Sequence, residues 1–248
     1  MTRKANRREF LKTGLVSTVA AMAVGSSINP KSTLAQDRPA GSIAEKPKGE
    51  ALMETSASYY ETPVVYFTKP GPSNTAKVLD CVRRRVQQLN IKTVLVASAS
   101  GQTALKAREA LEPRTNIIAV SLVTGYVEPN RQEMPAEVRK DLISKGVPVL
   151  TAQHAFGGVG RGIRKKLGTY QVDEIMAHTL YRFGNGTKVA IELALMAADA
   201  GLVRTDEDII SVGGTAKGAD TALMLRPANS ADFLNLVVKE VICKPAAL

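Results

Sequence analysis

Tryptophan is missing from this sequence and aromatic residues make up only 4% of it. No recognisable nucleic-acid-binding motif accompanies its lysines and arginines, so nucleic acid is not an expected partner. Histidine occurs only as His154 and His178, and cysteine only as Cys81 and Cys243. None of these has the spacing of a zinc site, and no metal is expected. Both cysteines lie in apolar stretches, which favours buried free thiols over a disulfide. There is no Gly-Lys-Ser/Thr triplet and hence no Walker loop. No Ser-His-Asp or Cys-His arrangement can be read, so the catalytic residues stay unknown and no nucleophile is assigned. Internal repeats are absent too, as is any apolar run of roughly 20 residues that would form a stable membrane span.

What is present begins with a basic stretch, Arg3, Lys4, Arg7 and Arg8, followed by a weakly apolar run over residues 13–24 and a small-residue exit ending at Ala35. That order is the order of an export signal. Asn6-Arg7-Arg8-Glu9-Phe10-Leu11-Lys12 resembles the twin-arginine signature, with Asn where Ser or Thr is usual. The resemblance implies the bacterial twin-arginine export machinery as a partner and a periplasmic location. Residues 1–35 are therefore expected to be removed. They carry six basic residues and one acidic one, so the remainder has a net charge of +5 rather than +10. This mild excess points to a small anionic ligand.

Residues 36–58, with Pro39, Gly41, Pro47 and Gly49, read as a linker without helical or strand period. Residues 59–248 suit one domain. Within it, compact β-branched runs predict strands at residues 63–67, 93–97, 116–122, 147–151, 208–212, 221–225 and 236–242, the last pair antiparallel. Helices are expected over residues 75–89, up to 111, and over 135–145, 171–183 and 187–200. The last is apolar nearly all round and is expected to be central. Alternation of this kind predicts an α/β fold, a three-layer open mostly parallel sheet with helices on both faces.

Ligands of such sheets sit beyond the carboxyl ends of the strands. Ser98-Ala99-Ser100-Gly101-Gln102-Thr103 leaves the second strand and opens a helix, a pattern that suits a phosphate. A hydroxyl-capped helix end without a ligand reads equally well. Ser211-Val212-Gly213-Gly214-Thr215-Ala216-Lys217-Gly218-Ala219-Asp220-Thr221 follows the fifth strand, and three glycines there mean that the backbone lies close to something, or that the turn is simply wide. His154-Ala155-Phe156-Gly157-Gly158-Val159-Gly160-Arg161-Gly162 lacks the third glycine of a dinucleotide fingerprint, since Ile163 stands in its place. Arg161 is a candidate anion contact or a solvated arginine. His154 is a candidate ligand or proton-transfer group, with an ordinary hydrogen-bonded histidine favoured. Glu192 and Asp199 share a helix face, and pairing with Lys or Arg is favoured over acid/base catalysis.

These segments together resemble a known family. Tyr66-Phe67-Thr68-Lys69-Pro70-Gly71, Asn74-Thr75, Val96-Ala97-Ser98, the His154 segment, Glu192 with Met196-Ala197-Ala198-Asp199-Ala200-Gly201, Val212-Gly213-Gly214, Gly218-Ala219-Asp220-Thr221-Ala222 and Arg226-Pro227-Ala228 are similar to the stand-alone pyruvate kinase C-terminal-domain-like (pyruvate kinase alpha/beta domain) family. The likeness runs over nearly all of residues 64–245. It implies the fold of the pyruvate kinase C-terminal domain, where the loop matching residues 98–103 holds the phosphate of a sugar-phosphate effector. It also implies flavin mononucleotide (FMN) as cofactor, with no settled reaction. Carried over, the match places a phosphate at Ser98, Ser100, Gly101, Gln102 and Thr103. Lys69, Asn74 and Thr75, with Gly213, Gly214, Lys217, Gly218, Asp220 and Thr221, close around the rest, and His154 and Arg161 complete the candidate set. The sequence departs from pyruvate kinase in lacking the barrel that holds metal and phosphoenolpyruvate, so that activity is not expected. A flavoprotein with redox activity, a sensor of a phosphorylated metabolite and a protein-binding scaffold remain as alternatives, and self-association is left open.

Overall fold

The computed structural model describes residues 58–247. The signal assigned to residues 1–35 and all but the last residue of the linker lie outside them. Seven strands form one sheet: Val65–Phe67 (β1), Thr93–Ala97 (β2), Asn116–Val120 (β3), Val149–Leu150 (β4), Ile209–Gly213 (β5), Thr221–Arg226 (β6) and Val237–Pro245 (β7). Their spatial order is β1-β7-β6-β5-β2-β3-β4. β6 runs antiparallel to both β5 and β7, and the other pairs are parallel.

The central strands are buried on both faces, which is why they read as continuous apolar runs. Side chains still alternate. Val94 and Val96 of β2, Ile117 and Ala119 of β3, and Ile210 and Val212 of β5 point into one core. Leu95, Ile118, Val120 and Ile209 point into the other. The first core is covered by Thr75–Leu89 (α1), Gln102–Ala110 (α2) and Ala136–Ser144 (α3), through Val78, Val82, Ala104, Ala107 and Leu142. The second is covered by Val172–Leu180 (α5) and Asn185–Asp199 (α6). These are the three layers of the expected α/β fold. Ser211, the one polar side chain of β5 on the α6 side, donates to the Ala190 carbonyl at 2.8 Å, so its hydroxyl is satisfied inside the core.

Differences from the sequence expectations have local causes. β1 is shorter than residues 63–67 because Pro63 has no N–H to give a ladder. β4 shrinks to two residues directly after Pro148 for the same reason. The antiparallel pair expected at the end is found, and β6 reverses against β5 as well. α6 starts two residues early, since Gly186 lies inside its first turn. A further helix, Val159–Leu167 (α4), occupies the glycine-rich segment. Gly160 and Gly162 hide it from a propensity reading, but a Cβ at Gly160 would overlap the Asp173 carboxylate at the start of α5.

Cys81 of α1 and Cys243 of β7 are buried free thiols. Burial, reinforced by the neighbouring Cys81, pushes the Cys243 thiol up to about 12, so it carries almost no thiolate at neutral pH. No helix among the described residues is long and apolar enough to cross a membrane.

Leu95 is wholly buried at the centre of the sheet. Replacing it with alanine is expected to lower stability by about 2–5 kcal/mol. The check is a urea denaturation curve whose midpoint falls while its slope is unchanged.

Candidate functional site

β2 ends at Ala97, and the chain turns through Ser98–Thr103 into α2. The Ser98 amide continues the ladder to the Val120 carbonyl at 2.9 Å. Its hydroxyl accepts from the Ala104 amide at 3.1 Å, so the serine caps the third residue of the helix. Gly101 has φ +85°, and a Cβ there would overlap Cγ1 of Val138 on α3. The glycine thus serves both a left-handed turn and a close helix approach. Ser98 and Thr103 are buried, whereas Ser100 and Gln102 are exposed. The first amides of α2, those of Gln102 and Thr103, have no intrahelical acceptor and give the turn a positive end.

The register pairs Val96 with Val212, so this turn and the β5–β6 loop leave adjacent strands at the same edge. That second loop is locked to the segment after β1 by one buried carboxylate. Asp220 accepts from the Gly71 amide at 3.0 Å, the Thr215 amide at 3.1 Å and the Thr221 hydroxyl at 2.9 Å. Thr75 adds a clasp, accepting from the Ala219 amide at 3.0 Å and donating to the Pro72 carbonyl at 2.8 Å. A Cβ at Gly213 would overlap the Gly186 carbonyl, one at Gly214 the Gly218 carbonyl, and one at Gly218 would crowd Pro72 and Thr75. What these glycines let approach is therefore protein backbone. Asn74 donates to the Lys69 carbonyl at 2.8 Å, and Lys69 and Lys217 are exposed.

A second cluster forms after β4, around α6. Glu192 is buried and accepts from Lys188 Nζ at 2.6 Å and from the Phe156 amide at 3.0 Å. Lys188 is as deeply buried as its partner. His154 Nδ1 stands 3.8 Å from Glu192 Oε2, while Nε2 accepts from the Val123 amide at 3.4 Å. A neutral ring accepting at Nε2 carries its proton on Nδ1, toward the carboxylate. Burial holds His154 below the usual histidine range; Glu192 opposes this, and Lys188 and Arg161 add to it. Tyr126 stacks on His154 at 5.3 Å, with the Arg161 guanidinium over its ring at 4.7 Å. Burial, then Glu192 and Tyr126, push the Tyr181 hydroxyl up. A cavity of about 410 Å³ opens beside this cluster, lined in part by Tyr126, Phe156, Arg161 and Tyr181.

His154 and Arg161 thus belong to one neighbourhood, and the residues of the 69–75 and 213–221 loops to another. Lys188, Tyr126 and Tyr181 escaped the sequence reading. The signal for Lys188 was its position four residues before Glu192 in an otherwise apolar helix. Glu192 takes that lysine, whereas Asp199 accepts from the Ser230 amide at 2.8 Å at the far end of α6. No group of His, Cys, Asp and Glu among the described residues is arranged to hold a metal ion.

The family model described as "Pyruvate kinase, alpha/beta domain" matches residues 76–226, more than half of the chain. The chain belongs to the pyruvate kinase alpha/beta domain family. That match spans the α2 turn, the α6 cluster and the loop carrying Asp220. Similar solved structures include three of pyruvate kinase from Cryptosporidium parvum. One is 16% identical, covering 64% of this chain and 24% of that one, with a TM-score of 0.34. A complex with ADP is 17% identical over 63% and 24%, with a TM-score of 0.31. A third is 15% identical over 64% and 24%, with a TM-score of 0.32. This chain therefore spans about a quarter of the length of those kinases.

Two outcomes are expected from the α6 cluster. Lys188→Met leaves Glu192 buried without its cation, and a chemical denaturation series should show a loss of about 3–5 kcal/mol. For His154, the unfolded chain takes up its proton around the ordinary value of 6.5, the folded one at lower pH. Its contribution is complete above that value and is lost as pH falls through it. Melting temperatures from about pH 8 to about pH 5 should therefore drop more steeply in the native protein than in His154→Gln.

Proposed function

We propose that this domain binds a phosphate-bearing small molecule at the carboxyl edge of the sheet, with the phosphate on the first turn of α2 and FMN as the ligand. One observation carries this reading. Ser98 satisfies the Ala104 amide itself, leaving the amides of Gln102 and Thr103 to an outside acceptor, with Ser100 and Gln102 exposed beside them. That donor set suits a phosphate. The space over Gly101 is filled by Val138, so the phosphate rests on the open side of the turn, at Ser100 and Gln102. Lys69 and Lys217 add positive charge at the same edge. When bound, the flavin supplies electron or hydride transfer. The domain's own part is to hold and orient the phosphate.

A second reading is a colourless sensor for a phosphorylated metabolite. The observation in its favour is that the 69–75 and 213–221 loops close on each other through Asp220 rather than around an open, glycine-lined cradle. Under either reading, the Arg7-Arg8 signal supports export through the twin-arginine route to the periplasm. That route suits a protein that acquires its ligand before crossing the membrane.

The test is the visible spectrum of protein purified from a flavin-replete host, followed by titration with the flavin. Bound flavin is expected, and Ser100→Glu should abolish it by placing a carboxylate where the phosphate sits. No flavin absorbance and no uptake on titration would sink the flavin reading. Thermal stabilisation by sugar phosphates alone, about 2.7 kcal/mol at 100 times the dissociation constant and lost in Ser100→Glu, would establish the sensor instead.

A further inference from the structure

The cavity bounded by α4 and α5 lies in the layer opposite α2, on the far side of the sheet from the phosphate turn. Its charge is mostly of one sign. Arg161, Arg164 and Lys165 line it, against the single carboxylate of Glu174. Two of the cations are held in place. Arg164 Nε donates to Glu174 Oε1 at 2.7 Å. Arg161 lies over Tyr126 and against the backbone of Gly157, where a Cβ would come within 2.7 Å of its guanidinium. Such pre-ordering lowers the entropy lost on binding.

Glu174 supplies an independent sign. The residue is only 6% exposed, and its second oxygen, Oε2, is buried with no hydrogen-bond partner among the described residues. An unpaired buried carboxylate oxygen is costly, and a donor arriving from the cavity removes that cost. A simple inorganic anion would match the cations but bring no donor to Glu174. At about 410 Å³ the space is also that of an organic ligand.

We propose that this cavity binds a polyhydroxylated organic anion. Arg161, Arg164 and Lys165 hold its acidic group, one hydroxyl donates to Glu174 Oε2, and Tyr126 and Tyr181 form the walls. The site is separate from the α2 turn and does not depend on the flavin reading.

Isothermal titration calorimetry on the full chain tests this with ribose 5-phosphate and gluconate as probes, and with sulfate as an anion lacking a hydroxyl donor. At least one organic probe should saturate a single site, more tightly than sulfate, and do so equally in the Ser100→Glu background. Which probe binds distinguishes a phosphate ester from a carboxylate. Arg161→Gln combined with Lys165→Gln should weaken binding at least about tenfold, and Glu174→Gln should weaken the hydroxylated probe about tenfold without weakening sulfate. If Glu174→Gln does not fold, the comparison with sulfate in the native protein decides the role of that oxygen. Three results each overturn the proposal: no saturable binding of either probe, sulfate binding as tightly, or loss of binding in Ser100→Glu. Binding unaffected by the Arg161/Lys165 variant overturns it as well.

Discussion

Helix α6 is buried along twelve of its fifteen residues, and that burial sets the terms for both loop clusters. A helix enclosed this way must find partners inside the protein for every polar group it carries. Its first turn presses Gly186 against Gly213, Asp220 and Thr221, where no larger residue fits. One turn further, Lys188 and Glu192 face each other out of water, and Glu192 reaches across to the Phe156 amide. The chain leaving β4 is thereby fastened to the helix at the point where α4 and the cavity begin.

The carboxyl edge is divided as a result. On one side, Asp220 and Thr75 join two loops into a closed unit by hydrogen bonds to backbone amides. Elsewhere on that edge the α2 turn keeps its first amides open, and across the sheet the α4–α5 cavity keeps an unpaired oxygen. Rigidity and availability for ligands are thus assigned to different loops of the same edge. Pairing within α6 contributes little net stability, because desolvating two charges offsets most of their attraction. What it supplies is position, for Phe156 and for the ring of His154.

Much of this was legible in the sequence, for reasons that can be named. β2, β3 and β5 are buried on both faces, so their apolar runs are continuous and their number and order of appearance are plain. α4 was not legible, because Gly160 serves close packing on α5 and, together with Gly162, mimics a loop. The glycines of residues 213–218 announced a close approach of backbone but not what approaches; ligand and protein leave the same mark. Lys188 went unnoticed because lysine in a helix ordinarily faces water, and only the burial of α6 makes it a partner for Glu192. The orphan oxygen of Glu174 has no one-dimensional signature at all, since it depends on where Arg164 turns its guanidinium.

The pairing of β1 with β7 bears on how the domain comes to exist in the cell. Val65 lies beside Cys243, and Gly71 hydrogen-bonds a carboxylate 149 residues away. Such contacts join distant parts of the chain, and distant contacts form late because loop closure must come first. While the chain is being synthesised, β1 has no partner until residues 243–245 clear the ribosome. The early strands can assemble with α1 and α2 during translation, but the sheet acquires its far edge only once β7 is available. Completion of this fold waits on β7, and any factor that acts on the nascent chain before β7 emerges meets it with β1 still unpaired.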